Sequence, residues 1–524
     1  MRTIKPFIYS LFVIFFLLES CKTKEKPLAV DNTSKSKPNI IIIYADDMGY
    51  GDLNALNKDS KIPTPNLDKL ADEGMRFTDA HSASTVCSPS RYSLLTGRYH
   101  WRGHLKKGIV RAWGDPAIEK GRLTIASMLK ESGYKTAAIG KWHLGMTYPF
   151  KEGIGQNDPK KSGWSDGNNV VYNPEDFDWE KPVEGGPNAF GFDYYYGDGT
   201  INFPPYVWME NNMFLNTPTA LLDNGKTSTA EGSWECRPGP AVENWDIPNV
   251  PIKLTEKAVE WIGNQETDDK PFFMYFSMPS PHAPIVPAKR FQGTSKAGGY
   301  GDYMVQTDWM VGEVLNAIKE KGIEENTLVV FTSDNGPELY AYNRIKNYEH
   351  YSMGSRRGVK RDLWEGGHRV PFIVKYPGKV EKKSVNSNLI SQIDIMATLA
   401  NIVDYKLPEN AGEDSKDFSK GIFSSEMPAN REALVYHAVN GKFAVRKGNW
   451  VLIENKTGSV TKEPKWIKEK NNSKQDNTLK VLYNIEEDPF EQNNLYNDNT
   501  EKVKELEQLL NDIRGRAKNV NNDN

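Results

Sequence analysis

Asp46-Asp47 and Asp334-Asn335 each follow an apolar, β-branched run, and between them they offer only carboxylate and amide oxygens. Such a set suits a hard divalent cation such as Ca2+ or Mg2+, whereas zinc would call for His or Cys. Asp and Asn at these points would serve equally as plain turn residues. A second candidate is Cys87-Ser88-Pro89-Ser90-Arg91, which opens a segment closing on Leu94-Leu95-Thr96-Gly97. Pro89 fits the first turn of a helix, Ser88 or Cys87 its cap, Leu94-Leu95 a buried stripe and Gly97 the stop. Residue 87 is thereby predicted at a helix N-terminus, where unpaired N–H groups and the helix dipole stabilise an anionic nucleophile or a bound anion. An ordinary buried cysteine followed by a surface arginine would read the same over these five residues.

The elements that must position these groups alternate in type. Asn39 to Tyr44 reads as a strand buried on both faces of a parallel sheet, with Asp46-Asp47 at its carboxyl end. Thr64-Pro65 starts a helix to about Ala71, and Thr124 to Ser132 reads as another, ended by Gly133 before a strand over Lys135 to Ile139. The pattern resumes with a helix at Thr255 to Ile262, a strand at Phe272 to Ser277, a long helix from about Asp302 to Lys321 and a strand at Thr327 to Thr332. Asp334-Asn335 lies just past that last strand, and Pro371 to Tyr376 and Ile393 to Ile402 read as a strand and a helix. Strands alternating with helices predict an α/β, doubly wound sheet, whose sites lie outside the carboxyl ends of its strands. Residues 150–250, rich in Gly, Pro, Asp, Tyr and Trp, read as loop insertions over that sheet.

From about residue 405 the texture changes. Short strands are expected at Ala433 to His437, Phe443 to Arg446 and Trp450 to Ile453, with a charged amphipathic helix over about 500–516. The expected division is a large α/β domain at 38–404 and a smaller antiparallel-sheet α+β subdomain with a helix at 405–524. At the other end, Arg2 and Lys5 precede an apolar run from Phe7 to Leu18 that is shorter than the roughly 20 residues needed to span a bilayer. Ending at Ser20-Cys21, residues 1–21 resemble a bacterial lipoprotein signal in which Cys21 becomes lipidated, and the Lys-, Ser- and Thr-rich residues 22–37 read as a flexible tether. The expectation is an exported protein held to a membrane only by its lipid, periplasmic or at the cell surface.

Composition sets further bounds. The formal charge is −3, from 66 basic and 69 acidic residues, with no basic block, which argues against nucleic acid as a partner. The three cysteines, Cys21, Cys87 and Cys236, are too few for a disulfide scaffold.

The two candidates belong to a longer ordered set. Tyr44-Ala45-Asp46-Asp47-Met48-Gly49, Cys87-Ser88-Pro89-Ser90-Arg91, Gly140-Lys141-Trp142-His143-Leu144-Gly145, Pro281-His282-Ala283-Pro284, Ser333-Asp334-Asn335-Gly336 and Lys360 before Glu365-Gly366-Gly367 follow one another across residues 38–375. This series resembles the type I, formylglycine-dependent sulfatases. Segments such as Gly191-Phe192-Asp193-Tyr194-Tyr195-Tyr196-Gly197 resemble the arylsulfatase and N-acetylgalactosamine-6-sulfatase branch and its bacterial carbohydrate-active members.

The resemblance implies an alkaline-phosphatase-like fold and a division of labour. Asp46, Asp47, Asp334 and Asn335 would bind the cation, Ca2+ being preferred to Mg2+. Cys87, oxidised to formylglycine by a separate maturation enzyme, would be the nucleophile as its aldehyde hydrate, with Arg91 stabilising it. Lys141, His143, His282 and Lys360 would surround the sulfate, and His282 or Lys360 would protonate the leaving oxygen. One hydroxyl of the hydrate attacks sulfur, the alcohol leaves, and deprotonation of the second hydroxyl expels sulfate. His100 and Arg102 are expected as substrate contacts, while His81, His104, His350 and His368 lie near matched segments and His437 reads as structural. The substrate implied is a sulfated polysaccharide or its oligosaccharides, so the protein would act in polysaccharide degradation. A phosphodiesterase or phosphonate hydrolase, a sulfate transferase, or a catalytically silent glycan-binding lipoprotein would use the same fold.

Overall fold

The run Asn39–Ala45 explains the architecture, because every residue from Ile40 to Ala45 is buried although side chains alternate between the two faces of a strand. Ile40, Ile42 and Tyr44 enter one apolar core with Leu94, Leu95, Ile125 and Leu399. Ile41, Ile43 and Ala45 enter another with Leu67, Leu254, Tyr303 and Met310. A strand apolar at every position therefore needs helices on both sides, and it has them. Pro65–Asp72, Val250–Gly263 and Gly298–Glu320 cover one face; Cys87–Thr96, Ile125–Glu131 and Ile395–Ile402 cover the other.

The computed structural model describes residues 37–155, 171–222, 231–266, 270–424, 431–470 and 478–516. Residues 1–21, read as a signal segment ending in Cys21, and all of the expected tether but Lys37, lie outside them. Among the described residues no helix is long and apolar enough to cross a membrane.

At the centre of the main sheet five strands run parallel, in the order Thr327–Ser333, Asn39–Ala45, Phe272–Ser277, Lys135–Gly140 and Tyr194–Gly197. Phe372–Lys375 adds antiparallel beside Thr327–Ser333, and Met75–Phe77 and Ser384–Asn386 extend that edge. The sheet is thus the expected doubly wound α/β layer with a mixed edge. One expectation is corrected: Tyr194–Gly197, inside the region read as loop insertions, is a strand of this sheet and continues antiparallel into Met209–Glu210. Its four-residue length and its Tyr-Tyr-Tyr-Gly sequence gave no alternation to read.

The C-terminal subdomain is a four-stranded antiparallel sheet, Ala433–His437, Phe443–Lys447, Trp450–Ile453 and Val481–Asn484, with the helix Thr500–Gly515 laid across it. Val503, Leu506, Leu510 and Ile513, at helical spacing, fill its core together with Tyr99 and Trp101 from the larger domain.

Register carries the strand ends to one level. Ala45 pairs with Ser333, Tyr44 with Ser277, and Ser277 with Gly140, so the residues that follow emerge side by side. Gly140 has φ +107°, and a Cβ there would stand 2.0 Å from the Ser277 carbonyl oxygen. Only glycine lets the chain turn there while Lys141 N–H donates to that same oxygen at 2.8 Å. Gly140→Ala is expected to lower stability by about 2 kcal/mol or more, read as a fall in urea midpoint at unchanged m-value.

Candidate active site

Adjacent parallel strands in register deliver Asp46-Asp47 and Asp334-Asn335 to the same point, one residue beyond the Ala45–Ser333 pair. The ladder continues past the strands: Asp334 N–H donates to Ala45 O at 3.1 Å and Asp47 N–H to Asp334 Oδ1 at 3.0 Å. Asp47 adopts φ +63°, turning its carboxylate inward to accept from Asn335 Nδ2 at 2.7 Å. The next strand ends lead to His282, through Ser280 and Pro281, and to Lys141 and His143. Lys360 comes from the loop beyond, held by its N–H to Pro337 O at 2.8 Å.

The Cys87–Thr96 helix is buried over its whole length and stops at Gly97, φ +62°. Its N-cap is Val86 in extended conformation rather than Cys87 or Ser88, so Cys87 is the first helical residue and its N–H is one of the unpaired donors of the first turn. Ligand atoms of Cys87, Asp46, Asp47 and His282 lie within 4.8 Å of one another. Arg91, one turn on, points back beneath them: Nη2 meets Asp334 Oδ2 at 2.9 Å and Asp46 Oδ1 at 3.6 Å, and Nη1 donates to Ser277 Oγ. Lys141 Nζ pairs with Asp46, and Lys360 Nζ with Asp47 Oδ2 at 2.7 Å.

Burial makes these charges interact strongly. Burial alone would raise the Asp46 carboxyl, but Lys141, His282 and Arg91 hold it well below the usual carboxylate range. Asp334 goes the other way: burial and then the Asp46 charge push it well up, with Arg91 opposing. Burial raises the Cys87 thiol while Lys360 and Lys141 more than offset that, so the position favours an anion. For Lys360, burial is outweighed by Asp47, Cys87 and Glu338, which hold the ammonium well above its ordinary value. Burial, with Lys141 and Arg91, keeps His143 far below the usual imidazole range and therefore neutral.

Two buried acceptors of this cluster, Asp46 Oδ1 and Asn335 Oδ1, have no hydrogen-bond partner. Buried oxygens are rarely left unpaired, and an oxygen-seeking cation between the two strand ends would engage both. His143 donates from Nε2 to Val110 O at 3.0 Å, leaving Nδ1 bare. His282 donates from Nδ1 to Ala283 O, so its Nε2 faces the cluster, 3.6 Å from Asp47 Oδ2 and 3.8 Å from Glu235 Oε2.

The expected substrate contacts His100 and Arg102 are placed elsewhere. His100 is fully buried, its Nε2 2.8 Å from His437 Nδ1 and its N–H on Ser93 Oγ, and Arg102 forks onto Asp414 at 2.7 and 2.8 Å and caps Ile513 O. Both fasten the C-terminal subdomain to the larger one. His81 and His368 face each other in the interior, and His350 pairs with Asp52 at 2.8 Å.

Sequence reasoning missed Glu338, Arg361 and Glu235. Glu338 bridges Lys360 at 3.6 Å and Arg361, which, against the effect of burial, bring its carboxyl down to about 2. Glu235 is pushed up to about 7 by burial and by Glu338. Arg361 directly follows Lys360 and Glu338 lies two residues past Gly336, a legible signal; Glu235 closes the 3-10 turn Ser233–Glu235, where the sequence shows no pattern.

The chain matches the sulfatase family model over residues 38–405 and a model described as N-sulphoglucosamine sulphohydrolase, C-terminal, over 358–516. It is 34% identical over 540 residues to an N-acetylgalactosamine-6-O-sulfatase of Bacteroides thetaiotaomicron, covering 95% of this chain and 97% of that one. Human arylsulfatase G is 30% identical over 433 residues, 78% of this chain and 73% of its own. A solved structure from work on the metabolism of multiple glycosaminoglycans by Bacteroides thetaiotaomicron superposes with a TM-score of 0.75 at 31% identity, covering 91% of this chain and 99% of that chain.

Arg91→Ala would leave Asp46 and Asp334 without the guanidinium they share. The expected loss is about 3–5 kcal/mol of folding stability, measured by urea unfolding.

Proposed function

We propose, from the premise that this chain belongs to the sulfatase family and is a sulfuric ester hydrolase acting on sulfated carbohydrate, that Cys87 serves as formylglycine beside a bound Ca2+. The observation that carries this reading is the placement of residue 87 at the first position of a buried helix, among Asp46, Asp47 and His282 and under the charges of Lys141 and Lys360. Formylglycine supplies, as its hydrate, a nucleophile that can release sulfate and regenerate itself. The cation is held by Asp46, Asp47, Asp334 and Asn335, whose oxygens include the two buried acceptors without partners.

The remaining residues divide the work by charge and proton. A sulfate ester is an anion, so attack by an anionic nucleophile needs positive charge on the sulfate oxygens; Lys141 and Lys360 supply it. Lys360 stays charged, because Asp47 and Glu338 hold its proton, and it is therefore a poor acid. His282 Nε2, the ring nitrogen turned into the site, is assigned protonation of the leaving oxygen. His143, whose Nδ1 is bare while Nε2 donates to Val110 O, is assigned the proton of the second hydroxyl. The substrate to test first is the 6-O-sulfate of N-acetylgalactosamine, on which a relative matching 95% of this chain is named as acting. The apolar run ending at Ser20-Cys21 supports an exported, lipid-anchored enzyme, and Cys87 as formylglycine calls for a separate maturation enzyme.

Turnover of defined sulfated sugars by the matured protein, with a phosphodiester as control, tests the reading. Cys87→Ala is expected to abolish sulfate release while the urea midpoint stays near that of the parent; substantial activity in this variant would remove residue 87 as the nucleophile. Lys360→Ala should raise the barrier by about 3 kcal/mol or more, a fall of two orders of magnitude or more in kcat/KM. Added Ca2+ should raise Tm and a chelator lower it, both effects being lost in Asp334→Ala.

A further inference from the structure

We propose that His81, His368 and Glu365 supply three donors of a second metal site, buried and structural, for a transition-metal ion of the Zn2+ type. Glu365 and His368 are the first and last residues of the single-turn helix Glu365–His368, and His81 ends the short strand Ala80–His81. Three residues apart, Glu365 and His368 share one face of their turn. All three side chains are buried, and one ligand atom from each lies within 4.8 Å of the others.

Hydrogen-bond accounting points to a cation. The two Nδ1 atoms stand 3.0 Å apart. His81 Nε2 lies 2.7 Å from Asp79 Oδ1, and His368 Nε2 lies 3.3 Å from the Leu363 carbonyl oxygen. A carbonyl only accepts, and so does Asp79, whose carboxylate is forked by Arg446 at 2.9 and 2.6 Å. His368 Nε2, facing a carbonyl, therefore carries its ring's hydrogen; His81 Nε2 faces the Asp79 carboxylate and, at 3.2 Å, the Arg446 Nη1 donor, and with its hydrogen on the Asp79 side the two Nδ1 lone pairs point at each other. Bare nitrogens at this distance repel unless something positive lies between them. Zn–N bonds of about 2.0–2.1 Å place two imidazole nitrogens on one ion roughly this far apart.

The third donor is available. Glu365 Oε2 is taken by Arg369 at 2.6 Å, but Oε1 is buried without a hydrogen-bond partner. Carboxylate and carbonyl acceptors behind the two rings are the outer partners that orient metal-bound histidines. Arg446 Nη1 stands 3.7 Å from Glu365 Oε1, and Arg369 also reaches Asp79, so two guanidiniums answer two carboxylates and the imidazole lone pairs remain for the ion. The donor set differs from the oxygens near Cys87, and so does its ion: imidazole with carboxylate suits Zn2+, whereas Ca2+ prefers oxygen alone.

The site would lock a junction. Ser82 N–H donates to His368 O at 2.9 Å at the start of the loop leading to Cys87, and Gly336 N–H donates to Gly367 O at 3.0 Å beside Asn335. An ion on the Glu365–His368 turn therefore fixes both loops at once.

The test unfolds the full chain with a chelator and refolds it in excess Ca2+, alone or with Zn2+ or Co2+. Loosely held metal is then removed with a weak chelator and the remainder measured by elemental analysis. The expected result is about one equivalent of Zn2+ or Co2+ retained per chain, a visible Co2+ spectrum of nitrogen ligation, and a higher Tm than after refolding in Ca2+ alone. His368→Gln should cut retention at least tenfold, while Asp334→Asn should retain the ion. Folded parent protein that keeps far less than stoichiometric Zn2+ and Co2+ would overturn the proposal and leave a shared proton between the rings. Retention lost in Asp334→Asn and kept in His368→Gln would overturn it too. No readout requires turnover, so this outcome is separable from that of the sulfatase reading.

Discussion

Three carboxyl groups, Asp46, Asp47 and Asp334, converge at the ends of two neighbouring strands with essentially no contact with water. Two like charges at about 4 Å oppose each other by about 4 kcal/mol even at an effective dielectric near 20, and desolvation adds to that. Such a cluster is tolerable only with cations built around it. Arg91, Lys141 and Lys360 provide them from three different segments, each buried and each aimed at a named carboxylate. The opposite displacements of Asp46 and Asp334 show what remains unbalanced: one carboxyl is held ionised, and its neighbour is pushed toward keeping a proton. A divalent cation at the unpaired oxygens would complete the balance. The oxygen-lined place for a cation and the positive charge that favours an anion thus follow from one arrangement.

That arrangement accounts for features far from the chemistry. Register in a parallel sheet brings the carboxyl ends of successive strands to one edge, so residues separated by hundreds of positions need no long side chains to meet. The C-terminal subdomain braces the approach to Cys87: Ser84 Oγ donates to His437 O at 3.0 Å, Thr85 N–H donates to the same oxygen at 3.3 Å, and Arg361 N–H donates to Thr85 O at 2.9 Å. The loop before Cys87 is therefore pinned between the subdomain and the segment carrying Lys360. His100 and Arg102 strengthen the same seam.

What the sequence disclosed follows from where each signal resides. Ile40 to Ile43 and Leu328 to Phe331 are apolar at every position, so their burial on two faces, and the acidic residues beyond them, could be read directly. The Cys87 helix was legible from Pro89 and Gly97, but its cap was not, because Val86 caps through its extended backbone with no side-chain bond. Tyr194–Gly197 escaped notice because its membership in the sheet comes from pairing with Lys135–Gly140, a tertiary fact. His100 and Arg102 misled for a related reason: a buried His and an Arg near a motif look alike in sequence whether they touch substrate or a distant Asp414.

The asymmetry between chemistry and substrate has a structural origin. The groups set against sulfur come from strand ends and a helix terminus, where register and helix geometry leave little freedom. The cavity beside His143 is lined differently, by residues that include Val110, Arg111, Asp198, Thr200 and Phe203, all in irregular segments. Asp198 has both carboxylate oxygens buried without a hydrogen-bond partner, and burial pushes it up to about 7. Loops can change such a wall without disturbing the strand ends, whereas a change at Asp46 or Arg91 unbalances every charge in the cluster. The residues around Cys87 are consequently written in short spaced motifs, while those lining the cavity beside His143 share no pattern along the chain.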